Sequence, residues 1–554
     1  MIKVWSLFNC NTLEDYLLLY LKVDVLLLTD VFENFRMMGQ VHFGLCPLHF
    51  RTLPGYSFEA MKKKTDVVLE LIRDPEIFTM FKNGIRGGNC FCNYRHLKAN
   101  NKYMANFDNN LPESYLWYID ANNLYGKAMI QKLPIGRFEI LDLENDNIFA
   151  ENMSSEQILN IESDGFYGYM LEIDAHVPKE LHDFFNDFPF FPQKQSFSEK
   201  SKTKKLISSL YPVENYVLHI KMLQLALKCG IVLDKIHKVV RFQQSAWLQP
   251  YIIGNNDMRT MSKTKFEKDF WKLLNNSTFG KFIESVEKYR DVKFPTCWKS
   301  YGNYKGAEKF ISSNYFKGFK ILDENLIVVE MKRKQVYYNK PIAVGCSILE
   351  LSKVHMYNFF YSALKPALPN ALLAYEDTDS LTVVLEGANL YEKIKPIVHD
   401  WLDTSNYPEN NIFGIPLCNK GKLGYFKDEL AGKIMTEFIG LNPKTYAFSV
   451  ENTDEIKKAK GVKKCVTRDL RLEDYKKCLK NQETMYRKMA IFKSELHQIQ
   501  TKIINKAALT VTDDKRVILP NKTTTLAYGH YRMEELIIED LENIICMSDS
   551  DNEN

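Results

Sequence analysis

Residues Leu372 to Leu385 read LLAYEDTDSLTVVL, two apolar runs separated by the polar turn Glu376-Asp377-Thr378-Asp379-Ser380. Apolar β-type runs on either side of such a turn predict a β-hairpin. The turn holds two carboxylates one residue apart where a strand pair ends, which makes it a rigid platform for ligands. Asp also favours turns for local hydrogen-bonding reasons, so by itself the hairpin reads equally well as an ordinary Asp-rich turn.

A second strand-like run, Tyr115 to Ile119, ends in Asp120 and continues Ala121-Asn122-Asn123-Leu124-Tyr125-Gly126. Uncompensated carboxylates brought together repel and raise each other's pKa, so a shared cation is the usual reason to assemble them. Magnesium suits such a site because it prefers oxygen ligands and keeps its waters or substrate phosphates. With two ions roughly 3.5–4 Å apart, one activates a 3′-hydroxyl and the other neutralises the triphosphate and leaving pyrophosphate. That chemistry is nucleotidyl transfer, with Asp120 and Asp379 as direct ligands and Asp377 weaker or water-mediated. A third segment, Lys272-Leu-Leu-Asn-Asn-Ser-Thr-Phe-Gly-Lys281, puts Lys272, Asn276 and Phe279 at helical steps of four and three. On that one face Lys272 would meet incoming phosphates and Phe279 would pack on a nascent base pair, with Gly280 leaving room for a template. Alone, this segment reads as a solvated basic helix with an aromatic on its core side.

The surrounding chain is compatible with an enzyme of several subdomains. Its 554 residues exceed the roughly 250–300 that one hydrophobic core supports. With 45% apolar and 26% charged residues it is globular in composition. The net charge of +4 means that any nucleic-acid surface must come from local clustering. Eleven scattered cysteines read as reduced intracellular thiols, and the lone pair Cys90 and Cys92 as packing and not as a zinc site. Lys22, Asp24 and Asp30 interrupt the most apolar stretch, so no membrane span is expected, and no secretory leader is recognisable. The chain is expected to be intracellular, with nucleus or cytoplasm undetermined, and to act as a monomer away from membranes.

Along the chain, Leu13, Leu17, Tyr20, Val23, Leu27 and Val31 predict an N-terminal helix over 13–38. Its apolar face needs something to pack on, which suggests a truncated N-terminus. Residues 136–240 mix short strands with proline-rich loops and a helix around Tyr216 to Cys229. Residues 256–290 read as one long basic amphipathic helix, and 296–340 as short aromatic strands and loops. Residues 456–506 hold fifteen Lys or Arg against five acids, a helical basic surface suited to gripping phosphates non-specifically. Asp549, Asp551 and Glu553 mark an acidic tail.

In their order of acid strand, basic helix and acid hairpin, the three motifs resemble those of the family B DNA polymerases. DANNLYG is similar to motif A (D-x-x-S-L-Y-P), KLLNNSTFG to motif B (K-x-x-x-N-S-x-Y-G), and YEDTDS to motif C (Y-x-D-T-D-S). The resemblance implies a mixed α/β (α+β) right hand of palm, fingers and thumb, catalytic Asp120, Asp377 and Asp379, and metal ligation at Asp120, Ala121 and Asp379. Two Mg²⁺ ions are implied as cofactors, with Mn²⁺ able to substitute. Tyr125 would sit under the incoming sugar and exclude a 2′-hydroxyl. Arg259 looks like a second contact to the triphosphate, beside Lys272, Asn276 and Phe279. Asn442-Pro-Lys-Thr-Tyr446 resembles the K-x-Y motif, so Lys444 and Tyr446 would steady the primer terminus. Ile85-Arg-Gly-Gly88 resembles a Y-x-G-G segment with isoleucine in place of tyrosine. Arg86, Gly87, Gly88, Gly280 and Thr378 are accordingly DNA-binding candidates. Tyr20 and Asp24 look like the third exonuclease motif, a remnant unable to proofread alone.

The long spacings between motifs, about 150 and about 100 residues, resemble the protein-primed branch. LHDFFNDFP, KKLISSLYPVENYVLHI, FQQSAWLQPYI and LAYGHYRM look closest to Maverick or Polinton transposon and linear-plasmid polymerases. The implied division is an exonuclease remnant at 1–40, a linker and first palm part at 41–135, and a terminal-protein-type insertion at 136–240. Fingers at 241–290 follow, then a second insertion at 291–340, palm at 341–455, and thumb with acidic tail at 456–554. The expected partners are primed or single-stranded DNA, deoxynucleoside triphosphates and a terminal-protein primer, in replication of a virus-like or transposable element. The alternatives are a truncated or domesticated copy that binds primed DNA with little synthesis, and a reverse transcriptase or RNA polymerase. The last fits poorly, because Thr378 separates aspartates that are usually adjacent there.

Overall fold

The computed structural model describes residues 2–196, 203–495 and 498–534. The acidic tail with Asp549, Asp551 and Glu553 lies outside them.

The chain is organised around one antiparallel sheet assembled from distant segments. Leu372–Asp377 and Ser380–Glu386 form the expected hairpin, with Asp377 paired to Ser380 across the Thr378-Asp379 turn. The hairpin is flanked by Cys90–Cys92 on one side and by Ser114–Ala121 on the other. Beyond lie Met435–Asn442, Thr445–Val450 and Ile456–Lys458. The central strands read as near-continuous apolar runs because both faces are covered. Ser380–Glu386 is buried at every position but the last.

Beneath this sheet runs Ile342–Asn358, a helix buried along almost its whole length. A helix apolar all round is one that other elements enclose. It continues into a wide π-helical turn, Phe359–Leu364. Tyr357 and Tyr361 from this region donate to the carbonyls of Pro189 and Phe188 at 2.9 and 2.6 Å. Phe190 stacks on Tyr357 with centroids 4.3 Å apart. The LHDFFNDFP segment is thereby an aromatic buttress of the core.

Two further sheets stand between the motifs. Leu133–Ile140, Tyr167–His176, Val213–His219 and Val232–Ser245 make a four-stranded antiparallel sheet. Asp291–Lys293, Phe316–Asp323 and Leu326–Met331 make a three-stranded one. The helix expected around Tyr216 to Cys229 begins only at Ile220, because Val213–His219 pairs with Tyr167–His176 and His219 caps the helix. The long N-terminal helix forms over Leu13–Phe43, started by a Thr12–Asp15 capping box and ended by Gly44 at φ +60°.

Two helical expectations require correction. Residues 256–290 are not one helix: Gln249–Met261 ends, and Lys265–Phe282 restarts at a Thr264–Glu267 capping box. Ser262, Lys263 and Thr264 break the helix because Thr264 and Glu267 satisfy the free backbone N–H groups of a new N-terminus. The basic stretch 456–506 is not mainly helical either. Among its described residues only Lys464–Arg468 and Leu472–Asn481 are helices, and the rest is dominated by a ribbon of Met485–Glu495 and Gln498–Leu509. Along its first strand Met485, Arg487, Met489 and Ile491 are less exposed than their neighbours, in the period of a strand. Charge counting does not register that period.

Candidate active site

Ser114–Ala121 and the hairpin bring the acids together through register. Ser380 lies opposite Asp120, and the Ala121 N–H donates to the Asp379 carbonyl at 2.8 Å. The strand end is fixed from the other side as well. Phe426–Asp428 pairs across Ala121 to Ile119, Asn122 N–H donates to Tyr425 O at 2.9 Å, and Asn122 Nδ2 donates to buried Asp403 at 2.6 Å.

The electrostatics of the pair are those of carboxylates buried beside other acids. Burial, the Asp379 carboxylate and Glu429 push Asp120 up to about 7, with Lys272 and Lys427 opposing. Burial also raises Asp379, and Asp377 adds to it. Asp377 itself is neutralised, because Lys444 Nζ donates to its Oδ1. Among the described residues, no group of three or more His, Cys, Asp or Glu side chains is placed to share a metal ion. Asp120 and Asp379, two part-buried carboxylates both raised by burial and by acidic neighbours, fit a divalent cation. Ala121 can contribute only main-chain oxygen.

The hairpin tip is held in a strained shape. Thr378 has φ +67°, a region that costs a non-glycine residue of order 1 kcal/mol or more. Its N–H donates to Asn89 O at 2.9 Å, with Glu376 Oε1 at 3.1 Å. Gly88 packs directly on this residue: a Cβ there would lie 2.3 Å from Thr378 Cγ2 and 2.8 Å from its Cβ. Gly87 faces open space. Asn123 and Lys444 are also left-handed, at φ +45° and +65°, so all three motif turns adopt backbone that ordinary sequence avoids.

Tyr125 and Phe279 stack almost parallel, with centroids 4.7 Å apart at 5°. Lys272 and Asn276 are exposed on the same helix, and Lys272 is near enough to act on Asp120. Arg259 is half-buried near the end of the preceding helix, which Asn255 ties to Asn275 at 2.8 Å. Gly280 has open space around it. Lys444 N–H donates to Tyr375 Oη at 2.6 Å, and Tyr446 packs on Tyr375 at 4.9 Å.

Arg86 departs from expectation. It is buried, donates to Val217 O at 2.7 Å, and stacks over Tyr216 at 3.8 Å. Its guanidinium is committed to the four-stranded sheet and not presented to a ligand. Tyr20 and Asp24 lie exposed on the N-terminal helix, away from the aspartate pair's sheet. Cys90 and Cys92 are buried strand residues, and burial pushes the Cys90 thiol up to about 12.

Sequence reasoning passed over Glu376. It is 2% exposed, its Oε2 has no partner, and burial followed by Asp377 raises it to about 8. An acid inside an otherwise apolar strand was the available signal. Glu429 and Lys427, both acting on Asp120, were missed because only the pairing of Phe426–Asp428 brings them there.

An acid-bearing antiparallel sheet backed by a buried helix, with a basic helix facing the acids, defines a right-hand polymerase fold of the B type. The sequence profile of "DNA polymerase type B, organellar and viral" matches residues 9–363, and the chain belongs to that family. Enzymes of this family generally work with divalent metal ions. The fold is similar to that of phi29 DNA polymerase. Its orthorhombic form is 15% identical with a TM-score of 0.54, over 85% of this chain and 69% of that one. The phi29 complex with primer-template DNA alone gives 16% and 0.54, over 90% and 72%. The phi29 complex with primer-template DNA and incoming nucleotides gives 15% and 0.52, over 83% and 68%. No curated protein matches the chain. Among the described residues no helix is long and apolar enough to cross a membrane.

Proposed function

We propose that this chain is a DNA-directed DNA polymerase that extends a primer 3′-hydroxyl, in protein-primed replication of a virus-like or transposable element. The observation that carries the reading is the convergence of Asp120 and Asp379 at paired strand ends, both raised by burial and by carboxylate neighbours. Divalent cations held there, Mg²⁺ in this reading, supply charge neutralisation at the phosphates and activation of the attacking hydroxyl.

The protein's own groups do the positioning. Lys272, with Arg259 behind it, binds the triphosphate. Tyr125, pressed flat by Phe279, stands beneath the sugar and rejects a 2′-hydroxyl. Lys444 exchanges its Asp377 contact for a primer phosphate, and Tyr446 and Thr378 border the same terminus. The phi29 complexes hold primer-template DNA and nucleotides, which supports the same ligands here. In this reading the sheets of 133–245 and 291–331 are the modules that meet a terminal protein and encircle DNA.

The test is primer extension with Mg²⁺ on primed DNA and RNA templates. Wild-type protein should extend on DNA, and Asp379→Asn should abolish synthesis while leaving primed-DNA binding intact. Wild-type protein that binds primed DNA without extending it would instead support a domesticated binding copy.

A further inference from the structure

A cavity of about 530 Å³ opens beside the Leu124–Met129 helix, a volume typical of small-ligand sites. Tyr125 and Lys127 are two positions apart on that helix and so point to opposite sides. Tyr125 meets Phe279, whereas Lys127 lines the cavity together with Lys221, His355, Trp401 and Tyr425. The cavity and the Tyr125–Phe279 stack thus lie on opposite sides of one helix.

Lys127 is threaded into place. Its stem passes Gly424, where a Cβ would lie 2.5 Å from Lys127 Cγ and 2.9 Å from His355 Nε2, at a φ of +80°. None of the ion pairs among the described residues includes Lys127. Burial lowers the pKa of its amine, and Lys422 pushes it the same way. Lys422 folds over Tyr425, 4.3 Å from the ring centroid, and donates to its hydroxyl at 2.7 Å. Of the two acids at the cavity, Asp164 is taken by Lys221 at 2.5 Å, and Asp400 stands exposed at the rim. Lys127 in the cavity and Lys422, seated on the Tyr425 ring that lines it, are two cations that an anion would relieve. Trp401 and Tyr425 add ring faces of the kind on which bases stack.

We propose that this cavity is a second nucleotide-binding site, in which a phosphate sits between Lys127 and Lys422 and a base lies against Trp401. A free nucleoside monophosphate and one residue of a single strand present the same phosphate and base. The inference does not require the chain to polymerise.

The experiment is photolabelling of the full chain with 8-azidoadenosine 5′-monophosphate, followed by peptide mapping. Label should appear on peptides carrying Trp401 or Tyr425. Lys422→Ala, at an exposed position, and Lys127→Gln should each reduce that label at least tenfold while label near Tyr125 persists. Unchanged melting of both variants verifies that they fold. Displacement by dAMP assigns the site to free nucleotide, and displacement by an eight-residue oligo(dT) assigns it to a strand. Three results would overturn the proposal: no label on these peptides, label indifferent to both substitutions, or inorganic phosphate displacing it as well as dAMP does.

Discussion

Replacing Gly88 by Ala should cripple synthesis without touching any acid. The new Cβ would lie 2.3 Å from Thr378 Cγ2, 2.6 Å from Oγ1 and 2.8 Å from Cβ. Because the Thr378 Cβ itself is too close, rotation of its side chain cannot relieve the clash. Ordinary contact begins at 3.4 Å, so the hairpin tip must retreat by roughly 0.6–1 Å from contact geometry alone. That tip carries Asp377 and Asp379 on either side of Thr378. A misplacement of about 1 Å at a reacting centre costs on the order of 10²-fold in rate, and overpacking of this kind costs about 1–3 kcal/mol of stability. Single-turnover primer extension should therefore fall about 10- to 100-fold in Gly88→Ala. Gly87→Ala, with nothing within 4 Å of the added atom, should behave as wild type. Thr378→Gly removes every clashing side-chain atom and suits a φ of +67°, so the Gly88→Ala/Thr378→Gly double variant should regain most of the loss. A wild-type rate in Gly88→Ala, or no recovery in the double variant, would falsify the account of why glycine stands there.

Tyr125→Val should raise ribonucleotide incorporation, and Phe279→Ala should do so to a lesser degree by freeing the Tyr125 ring from its 4.7 Å stack. Unchanged sugar discrimination in competition assays would refute the assignment. Glu376 sits at about 8 in the folded chain against an ordinary value of 4.5, so the folded state holds a proton that the unfolded state has lost between those values. Its contribution to stability is therefore present below about pH 4.5 and lost as pH rises through about 8, on the order of 5 kcal/mol in all. Glu376→Gln should flatten that decline in urea melts from pH 5 to 9, and a decline as steep as wild type would reject the carboxyl as its source. Lys488→Ala/Lys493→Ala removes two exposed amines from the 485–509 ribbon. It should weaken primed-DNA binding uniformly across sequences and reduce the log-affinity against log-salt slope by about 1–2. An unaltered slope would place the DNA elsewhere.

How much was legible depended on how local the cause is. The hairpin, the strand ending at Asp120 and the N-terminal helix were readable because alternation, periodicity and capping act over a few residues. The break at Ser262-Lys263-Thr264 was readable in principle from the Thr264–Glu267 pair but was masked by continuous amphipathicity. The ribbon at 485–509 was obscured because charge clustering says nothing of secondary structure. Arg86 was misplaced for a different reason. A basic residue beside two glycines looks like a ligand contact until Tyr216 and Val217, 130 and 131 positions away, are seen to claim it.

The sequence by itself determined the family and the order of the three motifs, since each rests on short runs whose spacing is chemical. Tertiary structure alone decided which acid is neutralised. Asp377 and Asp379 are equivalent in the string, yet Lys444 from a strand pair more than sixty positions away pairs with Asp377. Asp379 is left facing Asp120 across the register of Ser114–Ala121. The same assembly set Gly88 against Thr378 and Tyr125 against Phe279. Those contacts join segments far apart in the chain, and a charge's worth depends on neighbours that only folding brings within a few ångströms.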